Sequence, residues 1–221
     1  MARPQRSESE IEAFREQAAA AALEMVEEDG VASLTLRRLA TRLGCSYAKP
    51  YSYYRDKEHL VDAVRGQAFL RFAAAITEFP EQDYARAPFG APYLTFAFEN
   101  PETFRIMFEM RQDYVSESTR AAQQRAWEAC SAPIRRLVDE GHLEGDPDLI
   151  AHVTWSALQG LASLALANQL YMGKAVEEIA LGMRSILRGF LPGVADRALP
   201  WTNSSEALES ERSMENKHET R

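Results

Sequence analysis

Apolar residues recur every three to four positions along most of the chain, the period of amphipathic helices. Ile11, Phe14, Ala18, Ala21, Ala22, Met25 and Val26 make the first such stripe. Ser7 and Ser9 each precede a glutamate by three residues (Glu10, Glu12), so two overlapping capping boxes open it, and Gly30 stops it. Thr35 caps a second helix with Leu36, Leu39, Ala40 and Leu43 inward. Gly44 permits a sharp turn, and Ser46 caps a short third helix that sets Tyr51 and Tyr54 toward one side. Asp56 caps a fourth, whose stripe runs Leu60, Val61, Val64, Ala68, Phe72, Ile76 until Pro80 ends it.

Further helices are predicted over 84–98 and 101–110, both rich in aromatics, and over 116–143, which Pro133 should kink or divide. Segment 147–170 is apolar on nearly every side, as in a helix buried all round. A single stripe returns over 174–190. No segment alternates as a strand does. The fold class is all-α: an N-terminal three-helix unit with a helix-turn-helix over 1–58, and a C-terminal helical unit over 59–192. Residues 193–221 are polar, charged and poor in aliphatics, and read as a disordered tail.

Composition narrows the function. A hydrophobic share of 46% in 221 residues supports a real core. No run approaches the ~18 apolar residues of a membrane span, and residues 1–12 contain no apolar signal segment. Cys45 and Cys130 lack metal-ligand or redox spacing and read as reduced packing residues of a cytoplasmic protein. The four histidines assemble no metal set, and no spacing suggests a catalytic triad or an acid–base pair. His152 reads as a hydrogen-bonded core histidine. The expectation is therefore no enzyme, no cofactor and no metal.

Charge is distributed unevenly. Residues 34–60 hold six Lys/Arg against two acids, in a chain of net charge −8. A basic, aromatic patch on an acidic body suits a polyanion, and a helix–tight turn–helix suits the DNA major groove. Thr35, Tyr51 and Lys57 suit phosphates, and Ser46, Tyr47, Ala48, Lys49 and Ser52, on the outer face of the short helix, would meet base edges; Arg37 and Tyr53 complete the DNA-binding candidates. Pro50 lacks the N–H that would bond the Ser46 carbonyl, so a tightened, 3₁₀-like turn is expected there.

Residues 34–60 resemble the signature of the TetR (tetracycline-repressor-like) family of bacterial transcriptional regulators. Thr35, Ala40, Gly44, Ser46, Tyr51, Tyr54, Lys57 and Leu60 carry the resemblance, which extends over about residues 8–65. A weaker likeness, in 93–108 and 155–164, is to a C-terminal class named for a Trp-His-Gly motif; Trp155 and Gly160 match, and Gln159 stands at the histidine place. The resemblance implies an N-terminal three-helix DNA-binding domain over 1–58 and a C-terminal helical regulatory, ligand-binding and dimerisation domain over 59–192, in a repressor that leaves a palindromic double-stranded DNA operator when a small hydrophobic effector binds. The pocket candidates are Tyr93, Phe96, Phe104, Met107, Phe108, Met110, Trp127, Trp155 and Gln159. It also implies a homodimer joined by two helices from each subunit, with Ala157, Leu161, Leu164, Ile179, Met183, Ile186 and Leu187 at the interface. No membrane partner is expected. The competing reading is a helical small-molecule-binding protein or enzyme with a vestigial helix-turn-helix.

Overall fold

The computed structural model describes residues 7–79, 90–111, 113–170 and 175–190. Among these, all regular structure is helical. The predicted tail, Pro80 and most of the 84–90 stretch lie outside the described residues.

Helix α1 (Glu8–Asp29) opens on one capping box, with Ser7 accepting from the Glu10 amide and Glu10 answering to the Ser7 amide. Ser9 is already inside the helix, so the second predicted box does not form. Gly30 closes α1 at φ 75°, a value that Gly adopts without strain. Helix α2 (Leu36–Arg42) is capped by Thr35. The chain then turns at Gly44, φ 60°, into α3 (Ala48–Tyr51). Helix α4 (Lys57–Glu78) starts on Asp56, whose carboxylate accepts the His59 amide at 3.0 Å.

Helices α5 (Ala91–Glu99) and α6 (Pro101–Phe108) meet at Asn100, with proline in the first turn of each. Helix α7 (Glu117–Asp139) is one helix through Pro133, so the proline does not divide it. The proline removes one backbone hydrogen bond, but α7 keeps Ala122, Ala126 and Ile134 buried on both sides of it, and that packing keeps the two halves in one helix. Helices α8 (Pro147–Leu166) and α9 (Val176–Leu187) complete the body.

The main core is centred on α4, which packs most extensively against α7 and also touches α1, α5 and α6. Phe72 lies edge-on to Tyr93 at 5.4 Å and Phe96 at 5.1 Å, and Phe104 is fully buried beside them. Each such side chain contributes about 1.5–3 kcal/mol by leaving water. The α4–α7 approach is close: a Cβ at Gly66 would sit 3.0 Å from Thr119 Oγ1. A smaller cluster of Ile134, Leu143, Ile150 and Ala151 joins α7 to α8.

Two polar knots tie the N-terminal helices to the body. Buried Asp62 on α4 accepts from the Ser116 amide at 3.3 Å and from Thr119 Oγ1 at 3.0 Å. Glu27 on α1 takes Arg71 of α4 at 2.5 Å and Thr103 of α6 at 2.7 Å. Buried Arg65 donates to the Ile106 carbonyl at 2.9 Å. Each buried charge thus has a partner, as burial requires.

Candidate nucleic-acid interface and effector pocket

The reading head is α2, the Gly44 turn and α3. Helix α3 is only four residues long, and the predicted effect of Pro50 is visible in its bonds. Lys49 N–H reaches the Ser46 carbonyl at 2.9 Å and Ser52 N–H reaches Lys49 at 3.0 Å, both three-residue steps. Ser46 makes no side-chain cap; Tyr47 occupies the cap position without one. Because the helix ends at Tyr51, the helical spacing of Tyr51 and Tyr54 fails. Tyr51 is exposed, whereas Tyr54 is buried and donates to the Arg15 carbonyl at 3.2 Å. Burial pushes the Tyr54 phenol up to about 12, so it stays a neutral donor.

Thr35, Arg37, Ser46, Tyr47, Ala48, Tyr51, Ser52 and Lys57 are all exposed on the head. Thr35 Oγ1 accepts the Arg38 amide at 3.1 Å, which leaves its O–H to donate to a phosphate. The Arg37 guanidinium lies 5.0 Å over the Tyr47 ring and so presents charge and aromatic surface together. Two predicted contacts are placed otherwise. Lys49 is half-buried with its ammonium 4.3 Å over the Phe14 ring, and the Tyr53 ring packs on the same phenylalanine at 4.2 Å. The shortness of α3 draws both back toward α1.

The basic patch is also less basic in space than in sequence. Arg38 pairs with Asp29, and Arg42 holds Glu28 at 2.7 Å and Glu24 at 2.9 Å. The Arg42 bonds hold the Glu28 carboxyl below the usual carboxylate range. Among the described residues, Arg37, Lys49 and Lys57 carry no carboxylate partner, and these cations set the local field.

Behind the head, a cavity of ≈ 300 Å³ opens between α4, α6, α7 and α8. Phe69 and Phe72 from α4 and Met107 and Phe108 from α6 form one side. Gln123, Ala126, Trp127 and Cys130 line it from α7, and Trp155 from α8. Of the pocket candidates it brings together Met107, Phe108, Trp127 and Trp155. Tyr93, Phe96, Phe104, Met110 and Gln159 do not line it. The first three are buried core packed around Phe72 and Phe108, Tyr93 and Phe96 from α5 and Phe104 from α6. Gln159 instead accepts from the Tyr93 hydroxyl, which in turn accepts from Trp155 Nε1 at 3.1 Å, so the set clamps α5 to α8. The residues missed are Phe69, Phe72, Gln123, Ala126 and Cys130. Those on α7 fall at i, i+3 and i+7, a helical face legible in principle. Burial pushes the Cys130 thiol up to about 12. His152, expected in the core, is exposed; it bonds the Asp148 carbonyl at 2.7 Å and stacks on Trp127 at 4.1 Å.

A second cavity, ≈ 320 Å³, lies between α1, α4 and the start of α7, with a lining about evenly polar and apolar. Asp62, Ser116 and Thr119 in its lining are already bonded to one another, and Glu12, Arg15 and Glu16 add charges of both signs. The first cavity has the more apolar lining, the property from which most of a small ligand's binding comes.

Helix α8 is not buried all round. Leu149, Val153, Ser156, Gly160 and Leu164 form an exposed stripe, and a Cβ at Gly160 would meet nothing within 4 Å. Leu161 is buried in the chain's own core and is withdrawn from the interface set; Ala157, Ile179 and Met183 are half-buried. Ile186 and Leu187 lie in α9, and their side chains are outside the described residues. Contrary to the reading of the sequence, α8 is long and apolar enough to cross a membrane, the one such helix among the described residues. Two apolar faces, one packed and one exposed, account for that composition.

Residues 19–64 match the model of bacterial regulatory proteins of the tetR family. Residues 87–187 match the tetracyclin repressor-like C-terminal domain. Together the two span about two thirds of the chain, in the expected order.

The chain belongs to the TetR family.

It is a DNA-binding transcriptional regulator of this family, and its helices are arranged as in solved relatives. A Rhodococcus sp. RHA1 protein of unknown function is 26% identical, with a TM-score of 0.65 over 80% of this chain and 95% of that one. A TetR-family transcriptional regulator from Pectobacterium atrosepticum is 22% identical, TM-score 0.60, over 85% and 98%. A TetR-family protein from Vibrio parahaemolyticus is 22% identical, TM-score 0.56, over 78% and 97%. The last two show the shared fold alone. No curated protein matches this TetR-family chain.

Proposed function

We propose that this protein is a cytoplasmic, homodimeric repressor released from a palindromic operator when a small hydrophobic effector enters the cavity between α4, α6, α7 and α8. One observation carries the reading. Helix α4 runs without a break from Lys57, beside the DNA-facing surface, to the pocket wall at Phe69 and Phe72. That is roughly 18 Å of rigid helix at about 1.5 Å per residue. The proposed domain boundary at 58/59 falls in its first turn, so head and body share the element that a ligand would push.

Bases would be read by Ser46, Tyr47, Ala48 and Ser52, with Thr35, Arg37, Tyr51 and Lys57 on phosphates. Lys49 and Tyr53 join only if they leave Phe14. The exposed α8 stripe, with the neighbouring residues of α9, would meet its copy across a two-fold axis. Two heads would then sit about 34–36 Å apart, one turn of B-DNA. The effector need only favour the arrangement of α4 that misplaces the heads, and DNA must weaken effector binding by the same factor.

The test is a gel-shift titration with DNA flanking the protein's own gene. A salt-sensitive complex that prefers this DNA over scrambled DNA is expected, and it should weaken in Arg37→Ala while the variant stays folded. Equal binding to both DNAs would remove the reading.

A further inference from the structure

We infer that the effector is an uncharged, two-ring-sized aromatic molecule bearing one hydrogen-bonding group, which Gln123 recognises. The inference rests on the apolar cavity being the effector site. Rings from three directions face it: Phe69 and Phe72, Phe108, and the indoles of Trp127 and Trp155. They already pack edge-on or tilted against one another, with Phe108 5.6 Å from Phe69 and 6.1 Å from Trp155. Such walls select flat guests, which make offset or edge contacts with them. A volume of ≈ 300 Å³ is at the small end for ligand sites and suits two fused or linked rings.

Among the described residues, the lining carries no ionised group. Its side chains are aromatic, aliphatic, thioether, thiol and one primary amide. The Cys130 thiol is held protonated by burial. A carboxylate guest would lose its water without meeting a cation. A cationic guest would gain only attraction to ring faces, which does not offset the loss of hydration without a carboxylate. Trp155 has committed its N–H to the Tyr93 hydroxyl, so it offers a face rather than a donor. Gln123 is different: it is the one amide among the described lining residues, and a primary amide both donates and accepts hydrogen bonds.

The experiment titrates the full-length dimer with 2-naphthol, 2-naphthoate and 2-naphthyltrimethylammonium at neutral pH, followed by tryptophan fluorescence and calorimetry. The neutral probe should bind about tenfold or more tightly than either charged one. A charged probe that binds as well, or 2-naphthol that fails to saturate the protein, overturns the inference. Gln123→Leu should weaken 2-naphthol by about tenfold and leave 2-methylnaphthalene unchanged; equal loss of both removes the role of Gln123. Trp127→Phe should reduce the fluorescence response to 2-naphthol, and an unchanged response would place the probe outside this cavity. Operator release is measured separately. Tight binding in the cavity without release would leave the ligand chemistry standing and remove the regulatory reading.

Discussion

Thr119 Oγ1 on α7 lies 3.0 Å from the carboxylate of Asp62 on α4, at a point where both side chains are buried and a Cβ on Gly66 would crowd the hydroxyl. This is where the helix that reaches the head is bolted to the body. Removing the hydroxyl leaves a buried carboxylate short of a donor, which costs about 1–3 kcal/mol. Thr119→Val should therefore lower the urea midpoint without changing the slope. It should also alter operator affinity, because α4 gains freedom relative to α7. An unchanged midpoint would mean that the contact contributes nothing to stability.

The arginines of the head should not be equivalent. Arg37→Ala is expected to weaken DNA binding and reduce the slope of log K against log salt by about one, the signature of a lost phosphate contact. Arg42→Ala should do less, since its charge is shared with Glu24 and Glu28. Converting both glutamates to glutamine should tighten binding at low salt, as Arg42 then turns outward. Equal effects of the two alanine variants would show that the ion pairs are broken on DNA.

Leu164 is 49% exposed on a face where Gly160 meets nothing. Leu164→Glu should leave the subunit folded but shift sedimentation toward the monomer, and operator affinity should fall with it. A dimer that survives this change uses another surface.

Acid should loosen the start of α4. The His59 side chain, then its amide, then Arg55 hold the Asp56 carboxyl well below the ordinary range. A depressed folded pKa stabilises the protein above the unfolded value of about 3.9, and that contribution is lost as pH falls through the folded pKa. Stability of the native chain should thus decline below about pH 4 more steeply than that of Asp56→Asn, which keeps a capping oxygen but no charge. Superimposable pH curves would contradict this assignment.

The local rules of the chain were enough for much of this. The helices, the Ser7, Thr35 and Asp56 caps, the Gly44 turn and the tightening at Pro50 depend on neighbours within four residues, so they can be read from the residues alone. The all-α fold and the position of the head follow from them. Lys49 and Tyr53 could not be placed in this way, because the short α3 turns both toward Phe14, more than 30 positions earlier in the chain.

The basic stretch of 34–60 was legible as composition, but its field was not. Charge counts ignore distance, and only the packing of α2 on α1 sets Asp29, Glu28 and Glu24 against two of its arginines. Likewise, an aromatic cluster can be counted in sequence, whereas lining a cavity and filling a core use the same residue types. Tertiary packing separated Trp127 and Trp155 from Tyr93, Phe96 and Phe104, and brought in Phe69, Gln123 and Cys130. Periodicity decides what each helix turns inward; only the packed arrangement of helices decides what that inward face surrounds.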